Sequence, residues 1–225
     1  TAAFFSDSSA LVMLAVYVLG IVVAILSGLL LKKTLFTGNP VPFVMELPAY
    51  RIPNAQSVLL HMWEKAKDFL HRAFTIIFTA TIVIWFLQSY DFSFHAVSDA
   101  SESMLAGIGS LLSPIFAPLG FGDWRATSAL ITGVTAKESV VSTLSILTGA
   151  GSDAGLSAAL MTMFTPVSAF AFLCFTVLYM PCVAAFAATR RELGSFWQAL
   201  ATVLFQTGVA YIVAFLVYQI GSVLL

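Results

Sequence analysis

Five long windows of this chain carry no charged residue: Ser8 to Leu31, Ala73 to Tyr90, Ser103 to Gly122, Ala154 to Thr189 and Leu193 to Leu225. A helix needs about 20 apolar residues to cross roughly 30 Å of hydrocarbon, and in lipid every backbone polar group must be satisfied within the protein. Windows of this length therefore read as membrane helices. Composition agrees: 60% of the 225 residues are hydrophobic, 9% are charged and mean hydropathy is +0.97, which argues against a soluble helical domain. Five to seven membrane elements fit, in an all-α polytopic membrane protein.

A further apolar stretch, Trp124 to Gly149, is interrupted by Lys137 and Glu138. As one straight helix it would cover roughly 39 Å, with both charges near the midplane. A central charge costs about 2.5 to 3.5 kcal/mol on translocon scales, so such residues face a partner or a wet cavity and mark a pathway. Neighbouring helical positions point about 100° apart and do not neutralise each other, so at least one of the two needs another partner.

Charge is segregated beneath a net value of −1. Lys32, Lys33, Arg51, Lys65, Lys67 and Arg72 fall together, while Asp91, Asp99, Glu102 and Asp123 follow in the next polar region. The positive-inside rule places residues 32 to 72 in the cytoplasm and 91 to 102 on the other side. Basic residues are few and offset by Glu46, Glu64 and Asp68, which excludes a nucleic-acid surface. No window has the flanks of a signal peptide, and the first residue, Thr1, reads as a cut.

Along the chain, the first span (about Ala10 to Leu31) carries Gly20, Ser27 and Gly28, small residues that admit a neighbouring helix. The proline-rich segment Gly38 to Pro53 is expected to be extended. From Asn54, Leu59, Met62, Trp63, Ala66, Phe69 and Leu70 recur at helical spacing beside charged residues, which predicts one interfacial amphipathic helix. A second span follows at about Ala73 to Gln88, with Trp85 as an interface anchor. Gly107, Gly109, Pro114, Pro118 and Gly120 break the window 103–122 into a short helix and irregular backbone, a re-entrant or broken element held inside the bundle. Charge bookkeeping points the same way: if Arg125–Gly149 and Thr165–Ala188 both crossed fully, Arg190 and Arg191 would lie outside, so one of them does not cross simply. The last window, from about Ser195, is one long helix.

Pro181 interrupts the window from Thr165, and carbonyls freed in such broken helices are the usual cation ligands of transporters. Cys182 beside them offers a borderline-soft donor for a divalent transition metal, although a free cysteine in an apolar segment is ordinarily a small buried hydrophobe. Glu138 is the harder cation ligand, Lys137 a tether or gating element, and Ser139 adds a hydroxyl on the following turn. Cys174 and Cys182 are too far apart along a helix for a disulfide, about 12 Å against a limit near 7 Å. His61, His71 and His95 read as surface histidines rather than a metal cluster. The chain has no phosphate-binding glycine loop with lysine, no nucleophile elbow and no zinc-protease helix, so no GTP site and no enzyme signature.

Four segments in order, Pro42-Phe43-Val44-Met45-Glu46-Leu47-Pro48-Ala49-Tyr50-Arg51-Ile52-Pro53, Leu60-His61-Met62-Trp63-Glu64-Lys65-Ala66, Ala136-Lys137-Glu138-Ser139-Val140-Val141 and Tyr179-Met180-Pro181-Cys182-Val183-Ala184, together resemble the C-terminal membrane half of the bacterial ferrous iron transporter family FeoB. The resemblance implies a helical bundle with broken gate helices: residues 1–53 as a first span with its proline-rich cytoplasmic segment, and 54–225 as a second gate domain. The family's GTPase domain and first gate would precede Thr1. It further implies a multi-pass protein of the bacterial inner membrane that moves Fe²⁺ inward as substrate, with Cys182 as the gate cysteine in contact with the metal. The chemistry of the residues adds Glu138 as a second metal contact and places Tyr179, Pro181, Lys137 and Ser139 along the gate. No permanently bound cofactor is implied. The expected partners are the lipid bilayer, the missing GTPase and first-gate portion, or a second copy. Two rival expectations are a non-transporting half that assembles with a partner chain, and a gate-type permease for another substrate, since gate domains also resemble nucleoside-recognition permeases.

Overall fold

The computed structural model describes residues 3–5, 8–35, 54–179 and 182–224. The proline-rich segment and the pair Met180–Pro181 lie outside the described residues. Helix α1 (Ser9–Thr34) is apolar on every face and ends at Lys32 and Lys33, basic side chains suited to the negative end of a helix dipole. Of its residues only Val16 is buried, so almost the whole helix faces outward.

Helix α2 (Ala55–Arg72) runs through a π-helical turn, Ala73–Ile77, into α3 (Phe78–Ser89). The first half alternates apolar and charged faces and the second is apolar, as an interfacial helix entering a membrane requires. At the far end Asp91 organises the turn, its carboxylate accepting the N–H groups of Ser93 and His95, both at 2.8 Å. In the same exposed loop the Ser101 backbone N–H and hydroxyl hold the Asp99 carboxyl below the usual carboxylate range.

The window from Ser103 is helical for longer than its prolines suggest. Helix α4 (Met104–Phe116) continues through Pro114, because the carbonyl that proline leaves without a donor, that of Ser110, accepts the Ser113 hydroxyl instead (3.0 Å). A 3₁₀ turn, Ala117–Leu119, and Gly120 then bend the chain by 102° into α5 (Trp124–Gly133). Gly120 has φ +82°, and a Cβ on it would run into the Tyr218 ring. Replacing Gly120 with alanine combines left-handed strain with overpacking, at a cost of about 2–4 kcal/mol. The expected result is a clear fall in the thermal unfolding midpoint of the complete protein in detergent; an unchanged midpoint would show that the bend does not depend on this glycine.

Helix α6 (Ser139–Leu147) packs back on α5 instead of extending it, and reaches the turn at Ala100–Glu102 beyond the end of α3. The buried hydroxyls of Thr132 and Thr143 meet at 2.8 Å across the pair. Trp124–Leu147 is thus a helical hairpin that enters and leaves on the acidic side, with its tip at Val134–Glu138. That corrects the expectation of a single span and resolves the charge bookkeeping, because this element does not cross.

Helices α7 (Asp153–Met163) and α8 (Pro166–Leu178) follow, the latter opened by Thr165 and Ser168, each accepting the other's backbone N–H at 3.2 and 2.8 Å. Helix α9 (Val183–Leu193) carries Arg191 to within 3.6 Å of Asp68 on α2, so its end lies on the basic side. Helix α10 (Phe196–Leu224) returns along α8, where Ala210 and Ala214 are completely buried and let the two backbones approach. Its far half grips the bend, Tyr211 Oη donating to the Ile115 carbonyl (2.8 Å) and Gln219 Nε2 to that of Pro118 (3.3 Å). Phe116, Phe121, Phe172, Phe175 and Tyr179 form an aromatic column with ring centroids 5.3–5.9 Å apart, leading from the bend toward the hairpin tip.

Candidate functional site at two helix breaks

The hairpin tip faces a second interruption, between α8 and α9. Tyr179 closes α8 with its N–H on the Phe175 carbonyl (2.8 Å) and then turns to extended backbone. Cys182, also extended, is the N-cap of α9. Among the carbonyls at the end of α8 that lose their helical donors are those of Val177 and Tyr179. The amide that would serve Val177 belongs to Pro181, which has no N–H. The amide that would serve Tyr179 is that of Val183, and it donates to the Val134 carbonyl on the hairpin tip instead (2.8 Å).

Lys137 takes both orphans. Its Nζ donates to the Val177 carbonyl at 3.0 Å and to the Tyr179 carbonyl at 3.4 Å, while lying 4.9 Å from the Tyr179 ring centroid. The ammonium sits at the negative end of the α8 dipole, the favourable end for a cation. Tyr179, almost fully buried, donates its hydroxyl to the Leu130 carbonyl (3.2 Å) and stacks on Phe175. Its phenol fills the place where a Cβ on Gly133 would stand. Three polar ties, from Lys137, Tyr179 and Val183, thus join the two breaks.

The remaining sequence candidates are placed less centrally. Cys182 is a half-buried free thiol, close enough that a thiolate there would interact electrostatically with Lys137 and Tyr179. Glu138 is exposed, does not cap α6, and forms no hydrogen bond or ion pair among the described residues. Ser139 begins α6, and its N–H bonds the Ala136 carbonyl at 2.9 Å. Pro181 lies outside the described residues. Cys174 is a fully buried thiol on α8. No group of three or more His, Cys, Asp and Glu side chains assembles as a metal cage among the described residues. Leu130, Gly133, Val134 and Val177 escaped the sequence reading, because three of them act through main-chain carbonyls and the fourth through having no side chain. Beside Lys137 lies an apolar cavity of about 170 Å³ walled by Val140, Leu144, Phe164 and Phe172 and bordered by Phe4 and Phe5.

Two family models match the chain: that of the ferrous iron transport protein B C terminus over residues 13–65, and a gate model described as nucleoside recognition over residues 70–196. The Fe(2+) transporter FeoB of Staphylococcus aureus (strain MSSA476) is 42% identical over 219 residues, 97% of this chain. This chain belongs to the FeoB family. It corresponds to the C-terminal membrane portion of those proteins, spanning about a third of their length: 32% of the staphylococcal relative and 34% of the FeoB of Methanocaldococcus jannaschii, which is 40% identical over 99% of this chain. A Porphyromonas gingivalis relative, named an Fe(2+) transport protein A/Fe(2+) transporter FeoB fusion protein, is 36% identical over 97% of it. No solved structure matches significantly. Both helix breaks of this FeoB portion fall inside the gate match.

Proposed function

We propose that this chain is the second-gate part of a bacterial inner-membrane permease that carries ferrous iron inward. The observation that carries the reading is the meeting of the two breaks, where a re-entrant hairpin tip and an interrupted spanning helix bring orphan carbonyls, a lysine and a free thiol together. Non-helical backbone at membrane depth is tolerated where it lines a path or is buried in protein, and discontinuous helices commonly frame ion sites in transporters. The Cys182 sulfur suits a divalent transition metal, and the Glu138 carboxylate, with no partner among the described residues, supplies a hard ligand on the way to or from it. Tyr179 and Lys137 hold the path shut by tying hairpin to helix, and Ser139 and Pro181 shape the two breaks.

The family relation supports iron as cargo. The reading assigns this portion a conduit's role and leaves GTP chemistry to another part of the full-length protein, the partner most in keeping with the outward-facing α1. Competition in one anaerobic assay tests the substrate. In proteoliposomes holding the complete transporter, Fe²⁺ uptake is expected to be suppressed by excess unlabelled Fe²⁺, less by Mn²⁺ or Zn²⁺, and not at all by nucleosides. Suppression by nucleosides, or absence of Fe²⁺ uptake, would overturn the reading in favour of another substrate or a non-transporting half.

A further inference from the structure

We propose that the carbonyls of Val177 and Tyr179 form a cation site, that Lys137 fills it with its own ammonium in the closed gate, and that a permeating divalent cation displaces Lys137 in order to pass. The proposal rests on the permease reading above. The site is an outcome of the breaks: Pro181 withholds one donor and the Val183 N–H is diverted to Val134, so the Val177 and Tyr179 carbonyl oxygens at the foot of α8 converge on Lys137 with no peptide N–H donating to them among the described residues. Carbonyl oxygens are hard ligands for cations, and the end of a helix adds its negative partial charge.

What sits there now is a cation on a lever. Lysine carries a compact, strongly hydrated charge on a flexible four-carbon stem, so it can leave without disturbing the backbone. Among the described residues Lys137 has no carboxylate partner that would hold it in place: Glu138 is exposed and unpaired there, and the other contact of the ammonium is the Tyr179 ring. The tie runs between the hairpin tip and α8, so removing the ammonium from its carbonyls also removes one of the three links that close the breaks. A divalent ion entering the site would meet the same oxygens with twice the charge, near Cys182. Release of Lys137 and occupation by the cation are then one event, and a solute with no positive charge cannot trigger it.

The experiment follows the reactivity of Lys137 in the complete, reduced transporter, with Mn²⁺ as a redox-stable probe and phenyl isothiocyanate as a membrane-permeant amine reagent, read by mass spectrometry. Mn²⁺ is expected to raise labelling of Lys137 several-fold over a sodium buffer of equal ionic strength, with Lys32, Lys65 and Lys67 as unchanged internal standards. Labelling of Lys137 that is unchanged or lowered would overturn the proposal. A second arm uses Lys137→Ala in proteoliposomes, where Mn²⁺ leak is expected to rise about tenfold, the scale set by losing one charge-assisted contact. Adding n-propylammonium, a free copy of the atoms removed beyond Cβ, is expected to restore tightness to this variant alone; a leak that does not rise, or that ignores propylammonium, contradicts the proposal. If Mn²⁺ exposes Lys137 while the unaltered protein moves no Fe²⁺, the cation site stands and the permease reading falls.

Discussion

Replacing Gly133 with alanine in the complete transporter is expected to remove iron uptake while leaving the helices inserted. A Cβ at this position would overlap the Tyr179 hydroxyl and Val140 Cγ2. Neither neighbour has room to yield. Tyr179 is pinned by its bond to Leu130 and by stacking on Phe175, and Val140 is buried in the first turn of α6. Overpacking of this kind costs about 1–3 kcal/mol, and losing the tyrosine hydrogen bond adds about 1 kcal/mol. The hairpin tip must splay from α8 to relieve it. Since no polar group is added to a membrane segment, insertion should survive, so the defect is read as uptake reduced at least about tenfold together with faster alkylation of Cys182. Normal uptake with normal Cys182 reactivity would mean that the contact between Tyr179 and the α5 end does not govern the gate.

Cys182→Ser separates the chemistry of the thiol from its place in the fold. Cys182 is the N-cap of α9, and serine is among the preferred residues there, so the variant should be at least as stable as the parent. A serine hydroxyl, however, is a hard and weakly acidic donor that does not replace a thiolate toward ferrous iron. Anaerobic Fe²⁺ uptake is expected to fall about tenfold, the loss of roughly 1.4 kcal/mol of binding along the path. Cys174→Ser is the control. That thiol is completely buried on α8, so the exchange buries a hydroxyl and is expected to lower stability without acting on the path. Uptake unchanged in Cys182→Ser would remove the thiol from the mechanism.

How much of this was legible in the residues depends on the range of the forces involved. The spans of α1 and α10 follow from uninterrupted apolar windows, and α2 from its alternation of charged and apolar positions, since both patterns are local. The break expected in 103–122 shows in Gly107, Gly109, Gly120 and the two prolines, and the chain does bend there, although α4 runs through Pro114 because a nearby serine hydroxyl compensates it. The stretch around Lys137 and Glu138 misleads if taken as one helix. Its break is maintained by Tyr179, Val183 and the carbonyl of Val177, some 40 residues further on, and nothing within residues 124–149 encodes those partners. The charge bookkeeping around Arg190 and Arg191 did register that one element fails to cross, and Arg191 beside Asp68 accounts for it. The expectation that one of the two charges needs an outside partner holds for Lys137, whose partners are backbone and so carry no residue signature. Glu138 finds none among the described residues.

The central claim is that iron passes where the two breaks meet, and protection of Cys182 tests it most directly. The complete, reduced transporter is alkylated anaerobically with and without Fe²⁺, and each thiol is followed by mass spectrometry. The account predicts that Fe²⁺ slows labelling of Cys182 several-fold while Cys174 stays unlabelled in both conditions. Equal rates at Cys182 with and without iron would contradict it.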